Sequence, residues 1–180
     1  RRRFVVLAFL VGMAVASCSR DAQSLHFSVI PQPSEVTLVG GGKSKVSDLI
    51  LSDNLDKKVK SAIAEFAEHL QTVAGGRNRV VSGEDGRGVV FLVDPALGNE
   101  AYRLDITKNK AIVAANSYNG FIYALQTIGQ MLPAEFYGRE RASGVDFVIP
   151  CGTIKDAPRF SYRGVLIDVG RHFYRVDEIK

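Results

Sequence analysis

The sequence predicts an α+β fold, a small sheet with two helices on one face, and three observations carry that expectation. Apolar residues recur at three- and four-residue spacing in two stretches, 56–74 and 120–132. Around them lie short runs that are either continuously apolar or alternate with polar residues, the patterns of buried and half-buried strands. The bulk composition agrees, since 46% hydrophobic and 23% charged residues in a chain of 180 describe a globular protein, not a disordered one. The 17 Gly and 6 Pro fall without a period, which excludes collagen-like structure.

Taken from the start, Arg1-Arg2-Arg3, the apolar stretch Phe4 to Val15 and the small residues Ala16 and Ser17 follow the order of a secretory signal peptide over residues 1–17. No apolar run reaches the roughly 18 residues that a membrane-spanning helix requires. Val15-Ala16-Ser17-Cys18 resembles the lipobox of bacterial lipoproteins. That resemblance implies a lipidated Cys18 at the mature N-terminus, a tether over 18–26, and an exported chain held to the membrane through its lipid alone. Ser19, in place of an Asp after the Cys, points to the outer membrane. A plain signal peptide with an incidental Cys is the alternative. Cys151 is the other thiol of the chain, and with Cys18 lipidated it is expected to be a small buried or linker residue. Removing the three leading arginines takes the formal charge from +4 to +1, so composition offers no case for nucleic-acid binding.

Residues 27–133 read as one α+β unit. Ile30-Pro31-Gln32-Pro33 is a stiff extended entry into the alternating Val36 and Leu38 of a short strand, and Leu49-Ile50-Leu51 is a second. Val59, Ile63, Phe66, Ala67, Leu70, Val73 and Ala74 form the stripe of a helix stopped by Gly75-Gly76, with Lys57, Lys58, Lys60, Glu65 and Glu68 opposite. Val89 to Val93, bounded by Gly88 and Asp94-Pro95, reads as a central strand. Tyr102 to Ile106 alternates and Ala111 to Ala115 follows a polar break, which predicts a hairpin. Asn119-Gly120 opens a second helix with Phe121, Leu125, Ile128 and Leu132 inward, stopped by Pro133. Residues 134–158 lose periodicity at Gly138, Gly144, Pro150, Gly152 and Pro158 and read as a linker. Gly164 to Val169 then reads as a strand and Val176 to Lys180 as the first turn of a helix. A lone strand and one helical turn do not make a domain, so 159–180 is expected to open a unit that this sequence leaves incomplete.

Few residues carry a chemical signal. Gly40-Gly41-Gly42-Lys43-Ser44 lacks the earlier Gly of a phosphate loop, with Thr37 in its place, and reads as a flexible hairpin. His26, His69 and His172 lack ligand spacing, so no metal site is expected. Asp177-Glu178 sits at a predicted helix start, where negative charge complements the backbone dipole. The informative stretch is 158–173, in which an apolar strand ends in Asp168 and is followed by Arg171. Polar groups at the carboxyl end of a strand are where α/β barrels place their sites, and an Arg fork suits a pair of sugar hydroxyls or a carboxylate. Alternatively, Arg171 pairs with Asp168 or Asp177 and fixes the loop.

Asp156-Ala157-Pro158-Arg159-Phe160, Tyr162-Arg163-Gly164 and Ile167-Asp168-Val169-Gly170-Arg171-His172-Phe173 closely resemble the opening of the catalytic barrel in family-20 glycoside hydrolases, the β-N-acetylhexosaminidases. Ile30-Pro31-Gln32-Pro33, Tyr102 to Ile106 and Gly120 to Ile128 are similar to the α+β accessory domain that precedes that barrel. The resemblance implies the start of a truncated (β/α)8 barrel over 159–180. It implies substrate-assisted, retaining hydrolysis of terminal β-linked GlcNAc or GalNAc, with glycans so terminated as partners and no metal or organic cofactor. Arg171 matches the Arg that binds the 3- and 4-hydroxyls of the non-reducing sugar, and Asp168 and His172 match positions that support it. Asp177-Glu178 lacks the His-x-Gly-Gly context of the catalytic Asp-Glu pair. That pair is thus expected beyond Lys180, no catalytic residue falls within 1–180, and this segment alone is expected to be inactive. An accessory domain serving a different glycosidase, or a non-catalytic carbohydrate-binding lipoprotein, are the rival readings.

Overall fold

The computed structural model describes residues 28–76 and 78–179. Both predicted helices form, and their ends follow from local chemistry. Helix α1, Lys57–Ala74, begins at Asp56, whose carboxylate accepts from the Lys58 amide at 2.7 Å, satisfying a donor that the helix leaves unpaired. It ends at Gly75 in the left-handed conformation (φ 65°), whose N–H bonds the Gln71 carbonyl. Helix α2, Tyr118–Met131, is capped by the Ser117 hydroxyl on the Gly120 amide and halted at Pro133, which has no N–H to continue it.

Seven strands form one mixed sheet: β1 Glu35–Lys45, β2 Leu49–Leu51, β3 Val80–Ser82, β4 Gly88–Val93, β5 Tyr102–Ile106, β6 Lys110–Ala115 and β7 Val148–Asp156. Their order is β1-β7-β5-β6-β4-β2-β3. The β1/β7, β7/β5 and β5/β6 pairs are antiparallel, whereas β6/β4, β4/β2 and β2/β3 are parallel. β5 and β6 form the expected hairpin, and α1 supplies the long crossover that the parallel β2/β3 pair demands.

Both helices pack on one face of this sheet. There Leu49, Leu51, Val89, Phe91, Leu104, Ile106, Val113 and Ile154 meet Ile63, Leu70, Phe121, Ala124 and Ile128 in one continuous core. The opposite face is polar along β5 and β7. Arg103 Nε lies 2.8 Å from Asp105 Oδ2, and the Thr153 hydroxyl donates to Asp105 Oδ1 at 3.2 Å. Where that face stays apolar, at Ile50, the chain folds over it closely enough that a side chain at Gly86 would come within 2.5 Å of Ile50 Cδ1.

Three expectations are corrected. Gly40 to Ser44 is not a hairpin but part of the long strand β1, whose pairing with β7 shifts register between Leu38 and Lys43. Residues 134–158 are not all linker: Ala134–Tyr137 is a 3-10 turn, and β7 runs between β1 and β5. Pro150 is tolerated in β7 because it lies past the end of the β5 pairing, which stops at Gly152, and beside the register shift of β1. Gly152 (φ 155°) brings the strands together so closely that a Cβ there would stand 2.3 Å from the Thr37 carbonyl oxygen. Finally, 164–169 is not a strand; it runs irregular and exposed, and among the described residues no strand lies beside it to satisfy its backbone. The helical turn Val176–Ile179 does form.

Candidate functional site

The two ends of the α+β unit converge on α2. The Ile30 amide donates to Gln130 Oε1 at 2.8 Å and Gln130 Nε2 returns a bond to the Ile30 carbonyl at 3.0 Å. At the last residue of β7, Asp156 Oδ1 accepts from the Ser34 amide at 3.0 Å and from its hydroxyl at 3.2 Å. Between these ends opens a cleft of about 540 Å³ lined by Ile30, Pro31, Tyr102, Tyr123, Pro158 and Phe160, among others. At its floor the Tyr102 and Thr127 hydroxyls share a 2.6 Å hydrogen bond. Burial pushes the Tyr102 phenol up to about 12, so it stays neutral and able to donate across the physiological range.

The chain leaving β7 is held at Arg163. Its Nη2 lies 2.5 Å from Glu100 Oε1 and 3.1 Å from the Tyr123 hydroxyl, which itself donates to Glu100 Oε1 at 3.0 Å. Its guanidinium carbon stands 5.9 Å from the Tyr123 ring centroid, and Nη1 donates to the Phe160 carbonyl. The Arg163 hydrogen bond, then that of Tyr123, holds the Glu100 carboxyl below its ordinary value. Glu100 lies between β4 and β5, Tyr123 on α2 and Arg163 beyond β7, so three segments meet at this point.

The site residues expected from sequence gather on one turn further along. Asp168 Oδ1 accepts from the Gly170 amide at 2.8 Å, and Arg171 Nε lies 3.3 Å from Asp168 Oδ2. The His172 ring packs edge-on against Tyr174 with centroids 4.7 Å apart. The Arg171 side chain is 93% exposed, so its fork is open to a ligand, with Asp168 as its present partner. Asp177 instead pairs with Arg175 Nη2 at 3.0 Å, while Glu178 Oε2 accepts from the Arg175 amide at 2.7 Å, a helix-start arrangement. His69 bonds the Phe136 carbonyl through Nε2 at 2.5 Å and stacks edge-on on the Phe136 ring, a packing role. Cys151 is buried, with no disulfide partner among the described residues. Cys18, His26 and the signal peptide lie outside the described residues. Among the described residues no group of three or more His, Cys, Asp or Glu could hold a metal, and no helix is long and apolar enough to cross a membrane. Glu100 had no signal in the sequence, since nothing local marks an isolated carboxylate as the partner of an Arg 63 positions away.

Residues 26–157 match the family model described as glycosyl hydrolase family 20, domain 2. Over 179 residues the chain is 28% identical to a β-hexosaminidase of Porphyromonas gingivalis, an alignment that takes in 93% of this chain and 23% of that protein. It thus spans about a quarter of the length of the curated relatives it matches, 23% and 24% of the first two. Among solved structures, the GH20 β-N-acetylhexosaminidase of Streptomyces coelicolor A3(2) superposes with a TM-score of 0.74 at 29% identity, covering 86% of this chain and 31% of that one. The N-acetyl-β-hexosaminidase of Streptomyces plicatus, solved in complex with Thio-NAglucal, superposes with a TM-score of 0.73 at 28% identity, covering 87% and 31%.

Proposed function

The chain belongs to glycosyl hydrolase family 20, and from that premise we propose that it is the N-terminal part of a β-N-acetylhexosaminidase that removes terminal β-linked GlcNAc or GalNAc. The observation that carries this reading is the continuity of two matches. The domain-2 match ends at residue 157, and Ile167-Asp168-Val169-Gly170-Arg171-His172-Phe173 begins ten residues later. In the complete enzyme residues 159–180 open the catalytic barrel. Its neighbouring strands would satisfy the backbone of 164–169 and bury that segment's apolar residues, and Arg171 would lie at the strand's carboxyl end.

There Arg171 exchanges Asp168 for the 3- and 4-hydroxyls of the non-reducing sugar, offering two donors in a fixed fork. Asp168 keeps the guanidinium in place while the site is empty. The chemistry itself is substrate-assisted. The acetamido carbonyl oxygen forms a bond to the anomeric carbon as the glycosidic bond breaks, and a Glu beyond Lys180 donates a proton to the departing oxygen. The preceding Asp orients the acetamido group, and water then opens the oxazolinium-type intermediate with retention. In the same reading Cys18 is lipidated after removal of residues 1–17, placing the enzyme on the outer membrane of a bacterial cell.

Expression of the native coding sequence past codon 180 tests the proposal. Release of nitrophenol from an aryl N-acetyl-β-glucosaminide, with KM raised at least about tenfold by Arg171→Ala, supports it. An inactive full-length protein, or one indifferent to Arg171→Ala, overturns it. Incorporation of labelled palmitate that is lost in Cys18→Ser tests the anchor separately.

A further inference from the structure

Arg163 is not an ordinary surface ion pair. A single exposed Arg–carboxylate contact contributes about 0–1 kcal/mol and leaves both side chains free to wander. Arg163 instead engages three partners at once, two of them far away in sequence: Glu100 in the loop ahead of β5, Tyr123 on α2, and the Phe160 carbonyl just upstream. Glu100 is in turn held by the Tyr123 hydroxyl, and the guanidinium lies over the Tyr123 ring. A planar five-donor group is suited to this, because each contact restricts a different direction of movement. Seven residues upstream, where β7 and its pairing end, the chain is pinned by Asp156 to Ser34, and downstream of Arg163 it runs irregular. Arg163 is therefore the last long-range polar anchor among the described residues before the irregular segment 164–169.

We propose that Arg163, gripped by Glu100 and Tyr123, is a positioning residue that sets the direction in which the chain leaves the α+β unit and thereby the placement of Arg171 against the sugar. The inference rests on the functional reading of Arg171 given above. It assigns the accessory unit a part in substrate binding that acts through the direction of the chain. Arg171 lies eight positions after Arg163, so a change of direction at 163 moves the guanidinium of 171 relative to the fixed pocket walls. The effect falls on sugar binding before the bond-breaking step, because the reacting groups belong to other strands.

The test uses the full-length enzyme in three forms, wild type, Arg163→Ala and the charge-exchanged pair R163E/E100R. Hydrogen–deuterium exchange over peptides spanning 157–173 reads the anchor, and steady-state kinetics on an aryl N-acetyl-β-glucosaminide reads its consequence. Expected are faster exchange in Arg163→Ala with the thermal midpoint nearly unchanged, KM raised on the order of tenfold with kcat within about twofold, and partial recovery of both in the exchanged pair. Exchange unchanged in Arg163→Ala overturns the anchor. Faster exchange with KM unchanged overturns the link to Arg171 and reduces Arg163 to a structural contact. An equal fall in kcat with KM constant does the same. If Arg163→Ala does not fold, Glu100→Gln, which keeps the Tyr123 hydrogen bond, is put through the same two measurements and the same outcomes decide. An inactive wild type overturns the functional reading and the sugar-binding half of the inference, while exchange still judges the anchor.

Discussion

Two largely apolar stretches of this chain meet opposite fates. In β4, Val89, Val90 and Phe91 are at most 2% exposed, whereas Val165 and Leu166 beyond β7 are 90% and 94% exposed. Both have the composition of a central strand. The difference is neighbours: β4 lies between β2 and β6 with helices over it, while among the described residues no strand lies beside 164–169. Apolar β-branched residues thus do not make a strand; a pairing partner and a covering layer do.

The comparison can be broken most forcefully at Phe91. Phe91→Ala should destabilise the sheet unit by about 3–5 kcal/mol in urea unfolding, since a fully buried ring leaves a cavity that its neighbours close only in part. Next comes the junction of β1 with β7. Gly152→Ala should cost about 2–3 kcal/mol and raise amide exchange along β1, because both the backbone angle and the Thr37 carbonyl resist a Cβ. Tyr102→Phe should cost about 1–2 kcal/mol, leaving the buried Thr127 hydroxyl without its partner.

Acid sharpens the contrast at the surface. Hydrogen bonds from Arg79, Lys110 and Arg163 are the leading causes that lower the Asp48, Asp85 and Glu100 carboxyls from 3.8, 3.8 and 4.5 respectively. A carboxyl lowered by folding stabilises at pH above its unfolded value and loses that contribution as pH falls through its lower folded value. The urea midpoint should therefore hold between pH 7 and about 5, then decline, and Asp48→Asn should flatten the decline. At the small end, Leu166→Ala in the 180-residue chain should change stability by less than about 0.5 kcal/mol, the counterpart of Phe91→Ala in an exposed position.

Legibility followed the range of the interactions. The stripe of α1 and its Gly75 stop, the β5–β6 hairpin and the helical turn at 176–179 were readable because each is settled within a few residues. β3 was missed: three exposed residues show no alternation. β7 was missed because Pro150 and Gly152 interrupt its pattern, and both are acceptable only in view of what β1 and β5 do opposite them. On the site, the cluster Asp168, Arg171 and His172 was visible as a motif, and the Asp168–Arg171 contact is present. Its anchor was not visible, since Glu100 and Tyr123 acquire meaning only beside Arg163.

Helix positions, caps and the apolar faces they turn inward are properties of this sequence alone, because side-chain spacing and backbone capping act within one or two turns. Strand order, the parallel half of the sheet, the passage of β7 between β1 and β5, and the grip on Arg163 belong to the assembled fold. They depend on backbone groups and charges brought together from distant positions, and whether such a pair forms is set by the geometry of everything between them.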